Sequence, residues 1–360
     1  MAAKIKTTPS IDIDDAIRSI RMLQPDETRR RSELMVEVKS VLAVLPRERV
    51  LSEAFDQVLE DLGERRNTAG ASASPTIREG NAVVVLGESG AGKSTSIRRL
   101  IASHPLTIGE LNAPGSKLFS ISAPSPCNLA ELGREILIAL GYPLARGKLS
   151  APDVWRMVRE RIRSLGILLL HLDEMQHVIQ TVTKLELQKV RNNIKGMLVD
   201  PVHPIALIVS GMPNVVDLMK PDRQVARRCS WIEFEALTLA SHRKMLAAFI
   251  RQLCERADLA ISDNEIIRIV PRMLHAGCYQ LGVTAEEIHE AIRTSLKAGE
   301  KDLRLNHFAT AYAKRTRNPG SQNPYISDHW RDIDPTQVLG SVEMPRPAPK
   351  ANSSRKGRNK

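Results

Sequence analysis

Nine consecutive residues, Gly87-Glu88-Ser89-Gly90-Ala91-Gly92-Lys93-Ser94-Thr95, fit the pattern G-x-x-x-x-G-K-[ST] at every position. The chemistry this spacing supports is phosphate binding. Glycines let the backbone curl around a phosphate with its N–H groups turned inward. A helix beginning at the end of the loop adds a positive dipole. Lys93 is spaced to reach the β- and γ-phosphates of a nucleotide, and the Ser94 hydroxyl to ligate Mg²⁺. The alternative, a plain glycine-rich turn, weakens once the flanks are read. Ala82-Val83-Val84-Val85-Leu86 is an apolar, β-branched run that predicts a buried strand, and Ser96 to Ile101 predicts a helix.

A second group of residues lies eighty positions beyond Lys93. Ile167 to Leu172 is an apolar strand interrupted only by His171, and it ends in Asp173-Glu174. Asp173 is expected to hold Mg²⁺, and Glu174 to polarise an attacking water as general base. Alone, such a strand end could equally be a helix cap. His171 reads as a core or sheet-face histidine rather than a ligand. Gln176 and His177 could couple the site to neighbouring elements or simply lie at the surface.

Two further positions could complete a hydrolytic site. Ser210 ends a fourth strand, Ile205 to Gly211, where a hydroxyl can meet the γ-phosphate or the attacking water. The competing reading is a turn ahead of Met212-Pro213. Arg227 and Arg228 precede a fifth strand, Trp231 to Phe234. Arginines there can reach a nucleotide on an adjacent subunit and neutralise transition-state charge, or form a structural ion pair.

The elements that must position these groups can be read from periodicity. The reading is an α/β fold with a five-stranded parallel sheet flanked by helices, its second strand being Lys117 to Ser122. Residues 1–65 read as an N-terminal helical extension. Asp12 to Leu23 predicts a short helix, and two helices follow, one carrying Leu34, Val38, Val41, Leu42 and Leu45, the other Val50, Leu51, Phe55, Val58, Leu59 and Leu62. Residues 66–80 read as a linker, and 81–235 as the nucleotide-binding core. Residues 236–316 read as a small all-helical lid, with capping boxes at Ser262 to Glu265 and Thr284 to Glu287. Residues 317–360 read as a disordered, proline-containing basic tail.

Composition bounds the partners. The 360 residues are 42% hydrophobic, 26% charged and 3% aromatic, which describes a globular chain with an aliphatic core. The net charge of +11 and pI of about 9.7 favour a polyanionic partner. Cys127, Cys229, Cys254 and Cys278 are scattered, which fits a reducing, cytoplasmic setting. No secretory leader and no membrane span is predicted.

The order of these features resembles the AAA+ ATPases: strand, loop and helix with Lys93, then Asp173-Glu174, Ser210, Arg227-Arg228 and a helical lid. The finer pattern is similar to the TniB/TnsC group of regulators of bacterial DNA transposition. It rests on the N-terminal helices ahead of the glycine loop, on Leu172 to His177, and on Arg227-Arg228, and it covers residues 30–315. The resemblance implies a P-loop fold of the ASCE/AAA+ kind that binds ATP and Mg²⁺ at subunit interfaces. It implies assembly as a homo-oligomeric ring or filament on double-stranded DNA, and recruitment of a transposase. By motif position, residues Gly87 to Thr95 with Asp173 bind nucleotide, Ser94 and Asp173 hold the metal, Ser210 is the sensor, and Arg227 or Arg228 the finger. Many lids of this class carry an arginine after a glycine. Here that place reads Gly277-Cys278-Tyr279-Gln280, leaving Arg272 or none.

Two functional readings follow. One is an ATP-dependent DNA-assembly factor with slow, regulatory hydrolysis, touching phosphates through residues such as Lys117, Arg191 and Lys195. The other is a signalling or remodelling ATPase that acts on protein partners without DNA. A small-molecule kinase fits less well, because Glu174 is placed to activate water.

Overall fold

The computed structural model describes residues 13–64, 79–109, 111–113, 115–142, 149–318 and 320–338. Three helices come first: α1 (Ile13–Leu23), α2 (Asp26–Ser40) and α3 (Pro46–Gly63). The helix expected to carry Val41, Leu42 and Leu45 stops earlier, at Ser40. Val41 is extended, at φ −75° and ψ 124°. Leu45 is extended too, at φ −116° and ψ 156°, because a proline at the next position crowds the helical conformation of the residue before it.

The core then alternates strands and helices. The order is β1 (Ala82–Gly87), α4 (Lys93–Ser103), β2 (Leu118–Ser122), α5 (Leu129–Ala139), α6 (Ala151–Leu165) and β3 (Leu169–Asp173). It continues with α7 (Gln176–Thr181), α8 (Lys184–Leu198), β4 (Ala206–Gly211), α9 (Val216–Met219), α10 (Arg223–Ala226) and β5 (Cys229–Phe234). The five strands lie in the order β2-β3-β4-β1-β5, and every pairing is parallel. β1, β3 and β4 are buried throughout, as strands covered on both faces must be.

Alternate residues sort to two faces. Val83, Val85, Leu169 and Ile208 pack with Ile97 and Ile101 of α4 and with Leu51 and Phe55 of α3. Val84, Leu170, Leu172, Leu207 and Val209 pack with Leu132 and Ile136 of α5, Trp155 of α6 and Ile194 of α8. Each such aliphatic side chain removed from water contributes about 1.5–3 kcal/mol.

The remaining helices are α11 (Leu239–Arg256), α12 (Asp263–Ala276), α13 (Leu281–Ala298) and α14 (Leu305–Thr316). They enclose a separate core that includes Phe249, Ile269, Ile292 and Phe308. Met35 and Val38 of α2 join it, so the N-terminal helices divide their packing between lid and sheet. Ser262 caps α12 by accepting a bond from the Glu265 amide, but the expected box is only half made, since the Glu265 carboxylate accepts from the Leu305 amide and pairs with Arg268 instead. The box expected at Thr284 is not an N-terminus. α13 starts three residues earlier, at Leu281, because the phosphate loop accepts the hydrogen bond that a cap would otherwise supply.

The expected tail also begins later. Residues 320–338 carry short 3₁₀ turns, and Asn323, Tyr325, Trp330 and Ile333 are buried. Arg272 donates to the carbonyls of Pro324 and Ser327, and His275 Nε2 bonds to that of Ile333 at 2.9 Å. The expected terminus at 1–12, most of the linker and the last part of the tail, 339–360, lie outside the described residues. No helix among the described residues is long and apolar enough to cross a membrane.

Candidate functional site: a phosphate loop under a helical lid

The loop after β1 turns through Gly90 at φ +77° and Gly92 at φ +94°, a region open to glycine at little cost. The turn delivers the first amides of α4, which have no partner within the helix, to one concave side. Lys93 lies along this loop and donates to the carbonyls of Gly87, at 2.7 Å, and Glu88, at 3.0 Å. Burial lowers its pKa, while the charges of Glu174, Asp173 and Glu88 pull the other way. A buried cation held by carbonyls is poised to exchange them for a polyanion.

A cavity of about 200 Å³ opens here, walled by Ser89, Gly90, Lys93 and Ser94 on one side and Glu174, Gln176 and Met212 on the other. It continues, through the shared residues Gly92, Thr95, Gly282 and Glu286, into a second cavity of about 290 Å³. The second is more apolar: Val41, Leu42 and Ala43 line it from the segment after α2, and Phe249, Leu281 and Ala285 from the lid, with Lys39, Glu48, Arg99 and His289 also on its wall. Polar and apolar halves joined end to end match a triphosphate joined to a flat heterocycle.

Glu174 lines the cavity opposite the loop, and Asp173 is hydrogen-bonded to Ser94. Asp173, at the end of β3, is 6% exposed. Burial disfavours its charged form, yet the net shift is downward, with hydrogen bonds from Ser210, Ser94 and the Glu174 amide favouring the carboxylate. Glu174 adopts φ +57°, which costs a non-glycine residue about 1–3 kcal/mol. Its amide donates to Asp173 Oδ1 at 3.0 Å. Gln176 donates to its carboxylate and accepts from the Met212 amide at 3.1 Å. Among the described residues no cluster of three or more His, Cys, Asp or Glu side chains could hold a metal. Ser94 and Asp173 therefore suit an ion that brings water and phosphate oxygens as its other ligands, as Mg²⁺ does.

Other expected residues fall elsewhere. Ser210 does not line the phosphate cavity. It is fully buried, donates to Asp173 Oδ1 at 2.5 Å and meets His171 Nε2 at 2.8 Å, because its register opposite Asp173 turns it under the sheet's α4 side. Arg227 and Arg228 sit at the N-terminal end of β5, across the sheet from this chain's own loop. Both pair with Glu79. The Arg228 side chain is 6% exposed and that of Arg227 66%. Of the cations expected to meet DNA, Arg191 is buried and bonded to the carbonyls of Leu218 and Asp217. Lys195 pairs with Asp222 at 3.3 Å, and Lys117 donates to the Leu165 carbonyl at 2.7 Å. Arg272 serves the segment beyond α14 and does not line the phosphate cavity.

The sequence reading missed three participants. Arg47 donates to the loop carbonyl of Ala91 at 2.7 Å and stacks over Phe234; its position after Pro46 was the available signal. Gly282 and Glu286 bring the lid to the loop, and nothing in their spacing marks them.

Residues 77–219 match the AAA domain family. This is an AAA-type P-loop domain. Three solved structures share the fold of the AAA domain and its lid. Cdc6p from Pyrobaculum aerophilum is 15% identical, with a TM-score of 0.53 over 77% of this chain and 69% of that one. The Aeropyrum pernix ORC1 protein, solved in complex with DNA, is 16% identical, with a TM-score of 0.52 over 78% and 68%. The Aeropyrum pernix ORC2 protein, solved with ADPNP and ADP, is 17% identical, with a TM-score of 0.51 over 75% and 68%. No curated protein matches the sequence.

Proposed function

We propose that this protein is an ATP-dependent DNA-binding regulator of transposition. In this reading it oligomerises on target duplex DNA and recruits or activates a transposase, and ATP hydrolysis resets the assembly. The observation that carries the ATPase part is the meeting of Lys93, Ser94 and Glu174 around one cavity, with Asp173 hydrogen-bonded to Ser94. Lys93 and the loop amides bind phosphate, and Ser94 and Asp173 hold Mg²⁺, which supplies charge neutralisation when bound. Glu174 takes the proton of the attacking water. The exposed Arg227, at the far side of the sheet, is the residue donated to a neighbour's nucleotide, whereas Arg228 is committed within its own chain.

DNA as the partner is supported by the net charge of +11 and by the fold shared with the ORC1 protein, which was solved on DNA. Transposition rests on the resemblance to the TniB/TnsC group. The test is electron microscopy of the full chain with duplex DNA, with and without a non-hydrolysable ATP analogue. Rings or filaments on DNA only with the analogue are expected. Identical particles without DNA would favour the second reading, an ATPase acting on protein partners. The internal engagement of Arg191, Lys195 and Lys117 favours that alternative.

A further inference from the structure

We propose that His171 is a positioning residue for the magnesium-binding carboxylate, acting on Asp173 through Ser210. The proposal rests on the assignment of Asp173 to the metal made above. β2, β3 and β4 place four polar side chains on one face of the sheet. Ser120 is paired with His171 across β2 and β3, and Ser210 lies beside Asp173. Ser120 Oγ meets His171 Nδ1 at 2.8 Å, and His171 Nε2 meets Ser210 Oγ at 2.8 Å. Ser210 Oγ meets Asp173 Oδ1 at 2.5 Å. His171 and Ser210 are 0% exposed, so no water competes.

The proton positions follow from what each group can do. An ionised carboxylate only accepts, so the single Ser210 proton points at Asp173. Ser210 must then accept from His171 Nε2–H. That leaves Nδ1 bare, to accept from the Ser120 hydroxyl. A neutral imidazole has one N–H to place. The opposite tautomer would draw the Ser210 proton away and set two bare oxygens 2.5 Å apart. Ser120 is held in turn: its amide donates to Asn112 Oδ1 at 2.8 Å, and Asn112 Nδ2 donates to its carbonyl at 3.1 Å. The chain therefore runs in one direction, from the edge strand to Asp173. It ends on Oδ1, which also accepts from the Glu174 amide. Outer partners of metal ligands commonly govern affinity by about 10–100-fold.

The experiment measures binding of a fluorescent ATP analogue against Mg²⁺ concentration, in the full chain, with thermal melting as a control. His171→Phe is expected to raise the half-saturating Mg²⁺ concentration about tenfold or more, with nucleotide affinity in EDTA unchanged. His171→Gln, whose amide can still donate to Ser210, is expected to recover most of the loss. Ser210→Ala should match His171→Phe, and the double variant should add little. An unchanged Mg²⁺ requirement in folded His171→Phe overturns the proposal. If that variant does not fold, an unchanged requirement in Ser210→Ala overturns it. Wild-type binding that ignores Mg²⁺ altogether overturns the Asp173 assignment itself.

Discussion

The Gly282 amide donates to the Gly90 carbonyl at 2.7 Å, so the first turn of α13 sits directly on the phosphate loop. The approach depends on glycine at both positions. A Cβ on Gly282 would lie 2.6 Å from the Gly90 oxygen, and one on Gly90 would lie 2.4 Å from Val283 Cγ2. Gly282→Ala is expected to unseat the lid, at an overpacking cost of about 1–3 kcal/mol. Weakened nucleotide binding and faster proteolysis between β5 and α11 would register it; wild-type affinity would show that the contact is dispensable.

Lys93→Ala removes the cation that the loop now holds on its own carbonyls. Hydrogen bonds to charged groups carry about 1.5–3 kcal/mol each, so ATP affinity should fall by roughly 10–100-fold. DNA assembly should fall with it. Equilibrium binding and filter retention of duplex DNA measure the two together, and ATP-dependent retention that survives the substitution would uncouple them.

Glu174→Gln keeps the shape of the side chain and removes its basicity. Loss of a general base costs about 10²–10⁴-fold in turnover. The variant should bind ATP normally and persist on DNA after the parent has dissociated. A parent-like lifetime would point to another base.

Arg227 and Arg228 can be separated by experiment. Arg227→Ala is expected to lower turnover in the assembled state by about 10³–10⁵-fold, as loss of an arginine finger does, while nucleotide binding by the single chain stays intact. Arg228→Ala should instead lower thermal stability, since its side chain is buried against Glu79. The opposite pattern would exchange the roles.

Glu287 in the lid offers a test of pH dependence. It is 0% exposed, and burial raises its pKa to about 7 despite Arg315 and Tyr325. In the unfolded chain it titrates near the ordinary glutamate value. Its contribution to stability is therefore complete below about pH 4.5 and is lost as pH rises through about 7, because between those values only the folded state binds the proton. The wild type should lose stability relative to Glu287→Gln across that window, by roughly 3 kcal/mol. Parallel denaturation curves at each pH would refute the assignment.

The strands were legible because each is an apolar run ended by a turn, and the loop because its spacing has one chemical use. What escaped the sequence was cross-strand register. Ser210 and His171 are distant in sequence, and only the pairing of β3 with β4 reveals that a residue expected at the phosphate is instead bonded to Asp173. Thr284 has the pattern of a cap, but the meeting of Gly282 with Gly90 is a tertiary event with no local sign. Residues 320–338 looked like tail because Tyr325, Trp330 and Ile333 are isolated among polar residues. Each nonetheless finds a place on the lid. Between Arg227 and Arg228, only burial distinguishes the exposed cation from the pinned one.

The apolar cavity beside the loop is walled by Val41 to Ala43, by Thr95 of α4, and by Phe249, Leu281 and Ala285. These stretches belong to three parts of the chain, which meet here through the packing of α2 on the lid and the bond from Gly282 to Gly90. A purine filling that space would act as mortar, and the free energy of its binding would become cohesion between them. Loss of the nucleotide would then slacken the front, middle and rear of the molecule in one event.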